Sequence, residues 1–441
     1  MIIIGNGRLI TRNAAEPYYE NGAVVTENEL IKETGTTAEM RLKYPDAEFV
    51  DAKGGVIMPA FINAHTHIYS ALARGLSIAG YNPANFYEVL DGMWWKIDRS
   101  LTLEDTRRSA YTTIIDCIKT GCTTIFDHHA SFCQIEGSLF AIADAAKALG
   151  IRACLCYEVS ERDGEKKCDE SIEENKSFID HCERENDPML KAMFGGHALF
   201  TIGDKTFEKC VKANGGRTGF HIHVCEGMND VYDSMKNYGC RSVNRLLYNG
   251  ILGERTLLGH CIHISPAEMD IIRETGTMVV NNPESNMGNA VGAAKITELA
   301  AAGITLGLGT DGYVCDMLQS YKMGSALCKH ASRHPNKGWD ELPAMLFENN
   351  AVIAERAFPV RLGKLKEGYA ADVIVLDYNA PTELSDKNIN GHLLFGASAR
   401  SVVTTIAGGR LLMKDRRLTE LDADELFAKA RECAKELWKR L

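Results

Sequence analysis

The sequence predicts an α/β protein, a (β/α)8 barrel with a small β-sandwich built from both chain ends. Three observations lead there. Between residues 56 and 359, eight short apolar segments alternate with longer stretches of helical period. Residues 1–55 and 360–441 instead carry short, turn-bounded strand patterns. Polar residues suited to metal binding recur just after the apolar segments, where such barrels gather their chemistry.

At the amino end, Ile2–Ile4, Ala23–Val25 and Phe49–Val50 read as strands, with Asn6-Gly7 and Asn21-Gly22 as turn signals. Gly5-Asn6-Gly7 lacks the third glycine and the following helix of a dinucleotide loop. The barrel strands are expected at Val56–Ile62, Thr123–Phe126, Arg152–Tyr157, Lys191–Phe194, Gly219–His223, Thr256–Gly259, Met278–Asn281 and Thr305–Gly309. Helical stretches between them include Asp105–Lys119, Ser138–Leu149, Ile172–Glu185, Val231–Tyr248, Ala267–Glu274 and Ile296–Ala302.

The first β-to-β connection is long, about 60 residues, and carries Tyr81, Phe86, Tyr87, Trp94 and Trp95. It is either a lid over the site or a helical excursion packed outside. Beyond residue 360, "GKLKEGYAADVIVLD" and "VVTTIAGGRLLMKDRRL" alternate again and resume the style of the first 55 residues. Both ends therefore build one sandwich, with the barrel inserted between them. Residues 423–440 have apolar positions at three- and four-residue steps and form a terminal amphipathic helix.

Composition narrows the function. The chain of 441 residues has a net charge of −10, which disfavours nucleic acid or an anionic membrane as partner. No run of 18 apolar residues is present, and the start lacks a basic, signal-like region. The 14 cysteines are scattered singly without a C-x-x-C, as expected for free thiols in a reducing cytoplasm. The expected partner is a small molecule, and the expected assembly is a homodimer or higher homo-oligomer.

The polar residues at strand ends carry the chemistry. His65 and His67 are two apart, so on a strand they face one side. Phe220-His221-Ile222-His223 is followed by Glu226, Leu257-Leu258-Gly259 by His260, and Leu308-Gly309-Thr310 by Asp311. Each alone reads equally well as a solvated or structural residue; their joint placement on different strands does not. His65, His67, His223 and Asp311 make an N3O ligand set with an open position for water, as catalytic zinc keeps. One divalent ion is expected, zinc first, with iron or manganese as alternatives. His223 is preferred to His221 because it lies nearer the strand end and Glu226. The metal would acidify water, Glu226 would carry its proton to the leaving group, and His260 would orient the hydroxide or polarise the substrate. Asp311 would bind metal and share that proton. A second metal is not expected, because Lys191 lies at the wrong end of its strand to bridge two ions.

The segments "MPAFINAHTHIYSALARG", "HIHVCEG", "LGHCIHIS", "NNPESNMGNAVG", "GLGTDG" and "GKLKEGYAADVIVLD" resemble the amidohydrolase superfamily from end to end. They are similar to its mononuclear branch of guanine, cytosine and methylthioadenosine/S-adenosylhomocysteine deaminases and triazine chlorohydrolases. On "FDHHAS" the likeness is closest to SsnA-type aminohydrolases, linked to purine metabolism. The resemblance implies the ligand and acid/base roles above. It also implies that Arg74, His197 and the segment Asn282–Gly288 line the substrate site. His128 and His129, at the end of the second strand, become candidate contacts, of which His129 is taken. The chain departs from the family pattern at Met287-Gly288-Asn289, so no particular nucleoside or triazine follows.

The reading is a metal-dependent hydrolase of a C–N bond in a nitrogen heterocycle such as a purine or pyrimidine. Ring opening of a cyclic amide uses the same machinery. A metal-binding protein without turnover is the alternative of another class, and Glu226 argues against it, since a pure binder needs no proton shuttle.

Overall fold

Long apolar runs pair into parallel sheets buried on both faces, and these sheets carry the site. The computed structural model describes residues 1–441. Its first strands are β1 (Ile2–Ile10), β2 (Tyr18–Glu27), β3 (Leu30–Thr36), β4 (Glu48–Asp51) and β5 (Val56–Pro59). Then follow β6 (Phe61–Thr66), β7 (Cys122–His129), β8 (Arg152–Tyr157), β9 (Leu190–Ala192) and β10 (Phe194–Ala198). Next come β11 (Phe220–Val224), β12 (Leu257–His260), β13 (Met278–Asn281) and β14 (Leu306–Leu308). The last are β15 (Val373–Leu376), β16 (Val402–Ala407), β17 (Arg410–Lys414) and β18 (Arg417–Leu418).

Strands β6 to β9 form one parallel sheet and β10 to β14 a second. Every residue of β6, β7, β8 and β10 to β14 is buried, as expected where helices cover both faces of a parallel sheet. Single parallel bridges link the two sheets at Thr66–Asp311 and Val159–Gly196. The remaining strands, from both chain ends, hydrogen-bond into one nine-stranded sheet with β5 between β1 and β15. A buried ion pair, Arg152 to Asp372 at 2.5 Å, and Thr123 Oγ1 donating to Asp372 at 2.9 Å tie this sheet to the parallel ones.

Gly195 shows what the junction requires. A Cβ there would sit 2.2 Å from the Tyr157 carbonyl oxygen, so only glycine lets β8 and β10 approach at the end that carries the site. Gly195→Ala is expected to destabilise the fold by about 3 kcal/mol through forced backbone separation. A urea unfolding curve superimposable on that of the native chain would show that the strands can part freely.

Several elements differ from the sequence expectation. Val56–Ile62 is not one strand. At Ala60 the chain changes partners: Ala60 N donates to Asp372 O, and Phe61 N to Gly121 O, so Val56–Pro59 belongs to the terminal sheet. Asn6-Gly7 is a bulge inside β1, with Asn6 at φ 58°, and Gly22 lies inside β2; neither makes a hairpin turn. Lys191–Phe194 splits at Met193 into β9 and β10. Val231–Tyr248 is broken into Met228–Asp233, a π turn at Ser234–Tyr238 and Ser242–Tyr248, with left-handed Gly239 at the break. Helices Thr37–Lys43, Met317–Ser332 and Asn350–Ala357 were not foreseen.

The long segment after β6 folds into short helical turns at Ile68–Ala73, Phe86–Val89, Leu90–Trp94 and Trp95–Asp98. The terminal helix Ala423–Trp438 packs back on it, with Trp438 Nε1 donating to Leu72 O at 2.8 Å. All 14 cysteines are free.

Candidate functional site

Strand register brings the polar residues to one rim. Thr66 pairs with both Asp127 and Asp311, Ala198 with His223, and Val224 with His260. His65 and His67 end β6, His223 ends β11, and His260 and Asp311 follow at the ends of β12 and β14. His260 (φ 69°) and Asp311 (φ 55°) hold left-handed backbones, at a cost of about 1 kcal/mol each. Asp311 is held there by its neighbours. Thr310 N and Asp311 N both donate to His65 O at 3.0 Å, and Gly312 N donates to the Asp311 carboxylate at 2.8 Å.

Four donor atoms converge. His67 Nε2 is 3.0 Å from Asp311 Oδ1 and 3.1 Å from His223 Nε2, and His65 Nε2 is 3.7 Å from the same oxygen. Donors bound to one zinc at about 2.0–2.2 Å lie roughly 3–3.5 Å apart, so the spacing fits. The outer ring nitrogens settle the tautomers. His67 Nδ1 donates to His128 O at 2.5 Å and His223 Nδ1 to His197 O at 2.8 Å. His67 Nε2 and His223 Nε2 therefore face each other across 3.1 Å, an arrangement that needs a positive centre between them, a metal ion or a proton held by His67. His65 Nε2 is buried without any hydrogen-bond partner, as a ligand atom awaiting its cation would be. His65, His223, His260 and Asp311 also group as a potential cation site. These residues fit a divalent metal.

Charge agrees with geometry. Burial pulls His65 down to about 3 and His223 well below its usual range, so both rings stay neutral, the form that can bind a cation. Burial also lowers His67, but Asp311 and Glu158 outweigh it and leave the ring at about 9, so the acidic wall favours positive charge at this point. Asp311 stays ionised despite burial, because His67 and His65 face it.

Glu226 and His260 stand beside the cluster. His260 Nε2 is 3.4 Å from Glu226 Oε2 and 3.5 Å from Asp311 Oδ2, while its Nδ1 meets Asn286 Oδ1 at 2.8 Å. Glu226 Oε1 accepts from Asn289 Nδ2 at 3.1 Å. Burial, reinforced by Asp311, pushes the Glu226 carboxyl up to about 7. His221 lies behind the cluster, its Nε2 2.9 Å from His65 Nδ1, and so orients His65.

The cleft above has a volume of about 690 Å³ including its open mouth. Tyr69, Phe86, Leu90, Trp94, Phe200 and Tyr313 form apolar walls, and His67, His223, Glu226 and Asp311 form the floor. The segment after β6 therefore covers the site, as a lid does. His197 lines the cleft, with Nδ1 2.9 Å from Thr201 Oγ1.

Three expected substrate contacts lie elsewhere. Arg74 follows the turn Ile68–Ala73, which carries it out of the cleft to Asp116, at 2.6 Å and with 42% of its side chain exposed. His129 is buried behind Tyr69 and bonds Ser131 Oγ at 3.0 Å. Asn282 is buried outside the cleft; from its segment Ser285 and Asn289 reach the cleft instead. Arg74→Ala is expected to leave kcat/KM within about threefold of the native value, as for a surface change. A loss of tenfold or more in steady-state assays would return Arg74 to the site.

Sequence reasoning missed Glu158, Tyr69, Asn289 and Tyr313, whereas Ser285 lies in the segment Asn282–Gly288 that it expected at the site. Glu158 directly follows β8, so the strand-end rule that found the histidines was a sufficient signal for it.

The chain matches the amidohydrolase family over residues 56–412, and residues 22–47 match a bacterial imidazolonepropionase-like composite domain. It is 30% identical over 446 residues to the 5'-deoxyadenosine deaminase of Methanosarcina mazei, covering 100% of this chain and 99% of the relative. It is also 30% identical to the 5-methylthioadenosine/S-adenosylhomocysteine deaminase of Syntrophomonas wolfei, covering 99% of each. Among solved structures, a zinc-bound adenosine deaminase from Xanthomonas campestris superimposes with a TM-score of 0.88 at 22% identity, covering 100% of this chain and 99% of that one. Zinc-bound atrazine chlorohydrolase from Arthrobacter aurescens gives 0.82 at 22% identity, covering 98% and 100%.

Proposed function

This chain belongs to the amidohydrolase family, and on that premise we propose that it is a metal-dependent aminohydrolase releasing ammonia from an amino-bearing carbon of a purine-like heterocycle. The observation that carries the reading is the convergence of His65, His67, His223 and Asp311, with Glu226 and His260 on the cluster's flank. His65, His67, His223 and Asp311 would hold a divalent cation, which would supply Lewis acidity and lower the pKa of water.

The remaining steps belong to the protein. Glu226, a carboxyl tuned near neutrality, takes the water's proton and delivers it to the departing amine. His260, held by Asn286, hydrogen-bonds the oxygen being added and steadies charge on the tetrahedral carbon. Asp311 holds the cluster through His65 and His67 and lies 3.5 Å from His260, close enough to share the proton. The aromatic walls sandwich a flat ring and exclude bulk water.

We read the two parallel sheets as one closed (β/α)8 barrel and the nine-stranded sheet as a second unit of sandwich form. The bridges Thr66–Asp311 and Val159–Gly196 support closure. No helix is long and apolar enough to cross a membrane. We also read the protein as a cytoplasmic homo-oligomer with zinc as its single ion, and the net charge of −10 supports a small-molecule partner over nucleic acid. Purified zinc-loaded protein is assayed for ammonia release from a panel of aminopurines, aminopyrimidines and aminopterins. Silence across the panel would overturn the reading.

A further inference from the structure

Glu158 is a carboxylate that the catalytic steps above do not use. It is 2% exposed and lines the cleft. Its Oε1 accepts from His128 Nδ1 at 2.9 Å and lies 3.5 Å from His67 Nδ1. His128 in turn donates from Nε2 to His221 O at 2.9 Å, so its ring clamps Glu158 in place. Oε2 makes no hydrogen bond within the chain; His197 Nε2 stands 3.7 Å away, but that neutral ring keeps its proton on Nδ1 for Thr201 Oγ1.

Position says which part of a substrate meets this oxygen. The His67 ring has its Nε2 on the metal cluster and its Nδ1 beside Glu158, so the carboxylate lies one imidazole width from the cluster. A heterocycle placed for attack over the cluster presents the edge next to the reacting carbon to Glu158. A carboxylate only accepts hydrogen bonds. A ring N–H at that edge satisfies Oε2. A ring nitrogen lone pair faces it with repulsion and leaves Oε2 buried without a donor.

We propose that Glu158 reads the substrate, selecting an amino-substituted lactam ring, with an N–H beside the amino-bearing carbon, over an adenine-type ring. The six-membered ring of adenine nucleosides carries only lone pairs on its nitrogens. A 2-amino-6-oxopurine or a 2-amino-4-oxopyrimidine carries the required N–H. This inference rests on the aminohydrolase reading and specifies its substrate class. It places the chain apart from relatives named for adenosine derivatives. Sugar hydroxyls are the other donors that could meet Oε2, and the probes separate the two sources.

The test uses the zinc-loaded full chain and measures binding by calorimetry, with Glu226→Gln present throughout so that the probes are bound and not consumed. Guanine and isocytosine supply the ring N–H without a sugar; 5'-deoxyadenosine supplies hydroxyls without a ring N–H. The lactams are expected to bind at least ~100-fold more tightly than 5'-deoxyadenosine, as for a site whose buried acceptor rejects the unmatched analogue. In E158Q that gap in dissociation constants should shrink below ~10-fold, with zinc content unchanged. Equal or tighter binding of 5'-deoxyadenosine, a gap that survives E158Q, loss of zinc from E158Q, or no binding of any probe overturns the proposal. Should E158Q fail to fold, the preference of the native chain decides by itself. Ammonia from adenine-type rings alone leaves the aminohydrolase reading standing and removes this one. Tight lactam binding without ammonia from any ring does the reverse.

Discussion

Glu226→Gln is expected to lower kcat by about 10³-fold or more while the protein keeps its metal. General acid–base groups contribute roughly 10²–10⁴-fold, and this one serves twice, taking a proton and returning it. Glutamine keeps the size and the hydrogen-bond capacity toward Asn289, which now meets Glu226 Oε1 at 3.1 Å. It cannot carry the proton. The four proposed ligands do not include Glu226, so metal analysis should still find the ion bound. Single-turnover kinetics with metal quantification on the same sample checks both halves. Turnover within tenfold of native would remove Glu226 from the reaction. Lost metal would make it a ligand instead.

Stripping the metal with a chelator should take ammonia release to background, and adding zinc back should restore it. The same treatment should lower the melting temperature. Without a metal, only a proton on His67 can bridge the 3.1 Å between His67 Nε2 and His223 Nε2, and His65 Nε2 is buried and unpaired. Any ion bound only by the folded state stabilises it, by about 2.7 kcal/mol at a hundred times its dissociation constant. Asp311→Ala should reproduce both effects permanently, because it removes the one anionic member of the set. A chelated, metal-free sample with native turnover and an unchanged melt would contradict the whole account of this centre.

The convergence of His65, His67, His223 and Asp311 was legible because its signal is local. His65 and His67 share a face through strand parity, and His223, His260 and Asp311 each follow an apolar run closely enough to mark a strand end. Arg74 misled because the turn Ile68–Ala73 redirects the chain immediately after His67, and no pattern in seven residues reports its direction. His129 misled for a similar reason. It neighbours His128, but alternate residues of a strand face opposite sides, and His128 is the one turned toward His221 and Glu158. Glu158 was legible by the same strand-end rule and was overlooked.

By itself, the sequence determined the alternation of strands and helices, the three imidazoles and one carboxylate at strand ends, and the position of Glu226 close after one of them. These follow from residue type and spacing along one strand or helix, where geometry repeats with a known period. Only the tertiary structure decided where the run Val56–Ile62 changes sheets, which ring nitrogens face one another, and which carboxylate is left with an open acceptor at the cleft. Those depend on distances between segments far apart in the chain, such as Thr66 and Asp311 or Glu158 and His197, which packing sets and no local period encodes.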